Sequence, residues 1–306
     1  MNWFWFALIA LICWSGSDLF SKIGCCGEKD KTAHLKMVVA VGLVMGLHAA
    51  YMIVFHHVSV TWDVVWTYLP VSLLYILSMT LGYVGLRYIE LSISSPICNS
   101  SGALVAVLCL CTGALSDYNG PQKAVILCAV GLVCLGVVGL GVVEAREDDD
   151  LRRRRQEHAN RKYAKSRLAI CLPVAYCLLD AAGTFADSLV LERLNEDSAN
   201  VAYELTFLAA GISCLVYLLA CREKFTFKAE LPKYVGAACE TVGQLFYIYA
   251  LADEEHVMMS APIISAYCVA SVLWSRLFLK EKLSWKHYLM IGFVVAGIVI
   301  LGIYDI

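Results

Sequence analysis

Long apolar runs separated by short polar gaps dominate the chain. Ten such segments fall at about 3–23, 37–55, 68–86, 93–113, 123–143, 168–191, 199–221, 234–251, 257–277 and 286–304. Each is about 20 residues, the length at which an α-helix crosses a hydrocarbon core of about 30 Å. The pattern predicts an all-α integral membrane protein with ten transmembrane helices. The first segment lacks a basic leader and a small-residue cleavage site, holds Asp18 and ends at Lys22. It reads as a retained helix and not as a removable signal peptide.

The polar exception is 144–167, where Glu147-Asp-Asp-Asp150 precedes Arg152-Arg-Arg-Arg155. Asp148, Asp149 and Asp150 each stand four residues before an arginine, the favourable order on a helix. The stretch reads as a solvated helical linker, with a phospholipid- or protein-binding patch as the sharper alternative. It divides the chain into five helices in 1–143 and five in 168–306. The halves share marks in the same order. Ser94-Ser-Pro-Ile97 matches Ser260-Ala-Pro-Ile263, and Tyr83 and Tyr249 precede those prolines by thirteen residues. Gly131-x4-Gly136 matches Gly292-x4-Gly297. The proline offset is 166 and the glycine offset 161, so one insertion of five aligns them. A unit with an odd number of helices ends on the side opposite its start, so its copy inserts upside down. Two inverted five-helix repeats are expected, an arrangement recurrent in secondary transporters.

Composition agrees. Of 306 residues, 60% are hydrophobic and 16% charged, with a net charge of −2; soluble domains average roughly 45–50% and about 25%. The low charge excludes a disordered chain and an electrostatic nucleic-acid binder. The expected partners are the lipid bilayer and a small-molecule substrate, with protons as a second candidate ligand, and a homodimer is compatible. No cofactor or metal is expected. Most of the 14 cysteines, Cys13, Cys98 and Cys109 among them, lie inside apolar runs, where they act as small hydrophobes. Cys25 and Cys26 fall in a predicted loop, and no CxxC motif suggests zinc or redox chemistry. Of the 24 Lys and Arg, 22 lie after segments one, three, five, seven and nine, against Lys123 and Arg193 on the other side. Cytoplasmic loops are enriched in these residues. The bias places both termini outside and the linker inside a multi-pass protein of the plasma membrane.

Carboxylates interrupt the apolar segments at Asp18, Asp180, Asp187, Glu204 and Glu240. An ionised carboxylate in hydrocarbon costs several kcal/mol, so such groups face a cavity or a partner. Few basic residues are at hand. Lys22 lies one turn beyond Asp18, Arg87 ends the third segment, and Arg276 stands near the end of the ninth. Two explanations stay open: protonated carboxylates, as in a proton-coupled carrier, or a cationic substrate that supplies the missing charge. Asp187 and Glu204 lie nearer helix ends, where reaching the interface is an equal alternative. Helical spacing groups the candidates into stripes. Tyr176, Asp180, Thr184 and Asp187 share one face, as do Glu240, Gln244 and Tyr247, and as do Ser260, Tyr267, Ser271 and Trp274. Trp14 stands one turn from Asp18. Trp14, Tyr83, Tyr203, Tyr247 and Tyr267 are deep enough to offer ring faces to an organic cation. Asn99, beside Pro96, either satisfies a freed carbonyl or binds substrate. Trp3, Trp5, Trp62, Trp66 and Trp285 read as interfacial anchors, and His48 as a hydrogen-bonded core histidine.

The stretch Tyr247-Ile-Tyr-Ala-Leu through Ser260-Ala-Pro-Ile, then Leu279-Lys-Glu-Lys-Leu-Ser-Trp and Ile291-Gly-x4-Gly297, resembles the second EamA-type repeat of the drug/metabolite transporter superfamily. The first half resembles it more faintly, through Trp14-Ser-Gly16, Leu86-Arg-Tyr88 and Ser95-Pro96, with Leu115 or Ser116 where Glu281 stands in the second. The resemblance implies ten helices, alternating access and a central substrate site. Members of that family are usually drawn with cytoplasmic termini, opposite to the charge bias. No HExxH, P-loop or GxSxG motif supports an enzyme. The expected function is a secondary transporter of a small polar or cationic metabolite; the alternative is an integral-membrane enzyme or scaffold acting on a lipid-linked substrate.

Overall fold

The computed structural model describes residues 3–25, 31–88, 91–116, 118–145, 167–278 and 283–304. Helix α1 spans Trp3–Cys25, α2 Ala33–Phe55, α3 Trp62–Tyr88, α4 Leu91–Cys98, α5 Ser101–Thr112 and α6 Gly120–Ala145. In the second half α7 spans Arg167–Leu191, α8 Glu196–Ala220 and α9 Phe227–Leu251; α10 (Val257–Ser265), α11 (Tyr267–Phe278) and α12 (Trp285–Tyr304) follow. All the described regular structure is helical. Nine spans among the described residues are long and apolar enough to cross a membrane, with α4–α5 forming one and α10–α11 another. Helix α9 is absent from that set because Glu240, Thr241, Gln244 and three tyrosines dilute its hydropathy. The predicted linker and the Lys280-Glu-Lys282 motif fall on undescribed residues.

Two predicted spans are broken, both shortly after a proline. The chain turns at Asn99–Ser100 after Pro96, and at Ala266 after Pro262. Proline removes a backbone donor and crowds the preceding turn, which ends or kinks a helix. Two further boundaries move. Cys25 ends α1 instead of lying in a loop, and α9 starts at Phe227, so Lys228 and Lys233 belong to it. Lys233 pairs with Glu230 at 2.8 Å, and Lys36 of α2 approaches the same carboxylate at 3.7 Å.

The most extensive helix contacts run between the two halves. Helix α1 lies along α9, α2 along α8, α3 along α7, α6 along α12, and α5 against α10. Without a hydrophobic drive between helices in lipid, such contacts depend on close backbone approach at small residues. At the α2–α8 crossing, a Cβ on Gly42 would stand 2.5 Å from the Phe207 carbonyl oxygen and 2.9 Å from the Gly211 Cα. At the α6–α12 crossing, Gly136 meets Val294 and Gly297 meets Val133 in the same way. The outward faces are apolar: Leu47, Val54, Leu135, Val216 and Ile303 are exposed. Trp62, Trp66 and Trp285 are exposed too, as anchors would be. Trp3 departs from that expectation: it is 3% exposed and stacks on His256 with ring centroids 4.9 Å apart.

Gly42→Ala should therefore lower thermal stability, since overpacking costs about 1–3 kcal/mol. Gly131→Ala, where a Cβ meets nothing within 4 Å, should be neutral or stabilising by up to about 1 kcal/mol. Melting temperatures in detergent check both.

Candidate functional site: a carboxylate-lined cavity between the halves

A cavity of about 910 Å³, partly open to solvent, lies where α1, α3, α4, α7, α9 and the α10–α11 break converge. Eleven of the twelve side chains proposed from sequence line it: Trp14, Asp18, Tyr83, Asn99, Tyr176, Asp180, Tyr203, Glu240, Gln244, Tyr247 and Tyr267. The twelfth, Glu204, does not. It is buried at 0% exposure on another face of α8 and meets His48 Nδ1 of α2 at 2.7 Å. Glu204 follows Tyr203 directly, and adjacent residues on a helix point about 100° apart, so the two face different ways.

Each cavity carboxylate is held by hydroxyls. Asp18 Oδ2 accepts from Ser95 Oγ of α4 at 2.5 Å and from Ser271 Oγ of α11 at 2.9 Å. Asp180 Oδ2 accepts from Ser101 Oγ, the first residue of α5, at 2.7 Å. Glu240 faces the Ser17 hydroxyl across the α1–α9 contact. The broken helices thus deliver the donors, since Ser95, Ser101 and Ser271 flank the two turns. Lys22 does not pair with Asp18 as its spacing suggested; its ammonium donates to the Leu86 carbonyl at 2.8 Å. Among the described lining residues there is no Lys, Arg or His.

Aromatic rings form much of the remaining wall. Trp14 packs against Tyr247 at 4.9 Å and edge-on to Tyr267 at 5.8 Å. Its indole fits because residue 243 is glycine, where a Cβ would stand 2.4 Å from the ring. Tyr83 Oη, Trp14 Nε1 and Gln244 Nε2 are buried polar atoms with no hydrogen-bond partner within the protein. Unpaired buried polar atoms are costly, so a ligand or ordered water belongs beside them. Asn99 has a structural bond as well: its amide donates to the Ser95 carbonyl at 2.7 Å.

Sequence reasoning missed Tyr75, Met79, Ser94, Ser95 and Ser265, which also line the cavity. Tyr75 lies in an apolar stretch without a charged neighbour, so no spacing signal marked it. Thr184 lines the cavity, as its stripe predicted, but Asp187 on that stripe lies behind the wall, fully buried against Tyr68 and Tyr75.

Residues 167–303 match the model of the EamA-like transporter family. No curated protein sequence matches the chain. Among 27 matching solved chains, one crystal structure described only as a protein aligns over 99% of this chain and 96% of its own. That alignment has a TM-score of 0.64 at 13% identity, which shows a shared fold alone. The second half of the chain is EamA-like, which supports membership of the drug/metabolite transporter superfamily, and nine apolar spans among the described residues are long enough to cross a membrane, as in a multi-pass membrane protein.

Proposed function

We propose that the protein is a secondary transporter that moves a small organic cation by alternating access, with the cavity carboxylates taking up protons when the cation leaves. The observation that carries this reading is the set of three carboxylates, Asp18, Asp180 and Glu240, around one cavity whose described lining holds no basic group. Hydroxyl donors orient a carboxylate but do not balance its charge. In a low-dielectric bundle the charge must be met by a proton or by a cationic ligand. The aromatic walls favour the cation, because Trp and Tyr faces attract one by about 0.5–2 kcal/mol each. The two occupants compete for the same oxygens, which is the chemical basis of exchange.

The packing supports the inverted-repeat reading. Exchanging the halves turns the α1–α9 contact into the α7–α3 contact and leaves α2–α8 and α6–α12 unchanged. Gly136 and Gly297 occupy equivalent tight positions, and Gly131 and Gly292 equivalent open ones. Both broken spans break just after the matched prolines. We assign the protein to the plasma membrane, with its termini outside and the 144–167 linker inside. A reporter or accessibility scan that finds Arg152–Arg155 outside would reverse that assignment.

Uptake of a panel of labelled amines and quaternary ammonium ions into proteoliposomes tests the function. Glu240→Gln and Asp180→Asn should each lower uptake at least about tenfold, equivalent to about 1.4 kcal/mol. Their stability should hold or rise, because an uncompensated buried charge is removed. Glu204→Gln should transport normally. Cation affinity should fall as pH drops, because acid protonates the carboxylates that bind the cation; Glu240→Gln should flatten this dependence. Normal uptake by both cavity variants, or turnover of a lipid-linked substrate with no uptake, would sink the proposal.

Trp14→Leu and Tyr267→Leu should weaken cation binding about two- to thirty-fold, the equivalent of about 0.5–2 kcal/mol. Proton binding by the empty protein should be unchanged. Binding titrations of the two variants check this.

A further inference from the structure

Behind one wall of the cavity lies a second polar cluster that the site described above does not include. The cavity ends at Tyr75, Thr184, Tyr203 and Tyr247, and beyond them stand Tyr68 and Asp187, both at 0% exposure. Tyr68 Oη donates to Asp187 Oδ1 at 2.7 Å, and Tyr75 Oη reaches Asp187 Oδ2 at 3.4 Å. The Tyr75 hydroxyl also touches the Tyr247 hydroxyl and lies 3.2 Å from Thr184 Oγ1, to which Tyr247 Oη donates at 3.1 Å. Tyr203 packs edge-on against Tyr68 and Tyr75, with centroids at 6.4 and 5.8 Å.

The cluster closes one end of the bundle. Tyr68, Thr184, Asp187, Tyr203 and Tyr247 each lie within about two turns of the point where α3 begins (Trp62), α7 ends (Leu191), α8 begins (Glu196) or α9 ends (Leu251), and Tyr75 stands about two turns deeper on α3 than Tyr68. The cavity runs the other way, toward Ser21, Leu86 and Leu91, where α1 and α3 end and α4 begins. The Tyr75–Tyr247 contact joins α3 of the first half to α9 of the second, so this end cannot open while that contact holds.

A phenol has one proton to give, and Tyr75 has three acceptors around it: Asp187, Thr184 and Tyr247. An ionised Asp187 has no proton of its own and accepts from both Tyr68 and Tyr75. A protonated Asp187 carries a hydrogen on one of its two oxygens, which weakens that oxygen as an acceptor and offers a donor to the Tyr68 or Tyr75 hydroxyl, so the bonds to the two tyrosines rearrange. The protonation state of Asp187 is thereby read at the junction between the halves. The groups facing it are few. From α3 these are Tyr68 and Tyr75, from α8 Tyr203, from α9 Tyr247, and on α7 itself Thr184 and, two turns away, Asp180. Among the described residues, no Lys, Arg or His hydrogen-bonds or ion-pairs with Asp187.

We propose that Asp187 is a second proton-binding site, separate from the cavity carboxylates, whose ionised form holds the tyrosine seal shut and whose protonation releases it. Binding and release involve a proton only: it adds to a carboxylate oxygen of Asp187 and leaves by the same bond. This rests on the alternating-access reading above, but its test needs no substrate.

Spin labels carried by unnatural amino acids at positions 61 and 255, exposed sites just before α3 and just after α9, would report the α3–α9 separation. Pulsed electron resonance distances would be measured on the full chain in lipid nanodiscs at pH 5 and pH 8. The expected result is a short distance at pH 8 and a second, longer population at pH 5. Asp187→Asn, neutral at both pH values, should show the longer population throughout, whereas Glu240→Gln should keep the parent's pH response. Tyr75→Phe, which removes the shared proton, should also populate the longer distance and provides a second variant should Asp187→Asn fail to fold. A parent distribution indifferent to pH, or an Asp187→Asn variant that follows the parent, overturns the proposal. A response lost in Glu240→Gln but kept in Asp187→Asn also overturns it, assigning the switch to the cavity. Amine uptake is measured separately, so the transporter reading can stand if the seal fails, and the seal can stand if no amine crosses.

Discussion

The structure depends on how carboxyl groups without a basic partner are kept inside a bundle whose outside is hydrocarbon. Asp18, Asp180 and Glu240 meet in one cavity with serine hydroxyls as their protein donors. Where the protein intends a buried charge to be permanent, it supplies a counter-charge. Glu230 has Lys233 at 2.8 Å, and Glu204 has at 2.7 Å the His48 imidazole, a partner that carries a counter-charge when protonated. The cavity carboxylates are treated differently, and that contrast within a single chain separates site from scaffold.

The rest of the fold makes such a site affordable. Small residues at the α2–α8 and α6–α12 crossings bring the halves together backbone to backbone, which leaves the larger side chains of α1, α3, α7 and α9 to shape the space between. The two broken spans place hydroxyls near helix ends in the middle of the bundle. Irregular backbone at membrane depth is tolerated where it lines a cavity or is buried in protein. Tyrosine does two jobs in this arrangement. Around the cavity it offers ring faces, and at the closed end its hydroxyls bind one another and Asp187.

Much of this was legible from sequence because bilayer thickness and helical periodicity leave direct marks. A run of about 20 apolar residues has few other uses, and an acidic residue in such a run has a cost that demands an explanation. Helical spacing then grouped Tyr176 with Asp180, and Glu240 with Gln244 and Tyr247. What spacing lacks is the rotation of each helix relative to its neighbours. Glu204 and Tyr203 are adjacent in the chain, yet one faces His48 and the other the cavity. Asp187 lies close to a helix end, consistent with solvent contact, but α3 lays Tyr68 and Tyr75 across it. Trp3 has the composition of an anchor and is instead covered by His256, which is distant in sequence. Each miss concerns a contact between elements far apart in the chain, which local pattern does not encode.

The central claim is that the cavity carboxylates exchange protons for an organic cation. Calorimetric titration with tetraethylammonium, in two buffers of different ionisation enthalpy, measures it most directly. That cation carries no dissociable proton, so any proton released comes from the protein. The account predicts heats that differ between buffers as proton release requires, with the release diminished in Glu240→Gln and Asp180→Asn. Binding without proton release, equal in the parent and in both variants, would contradict it.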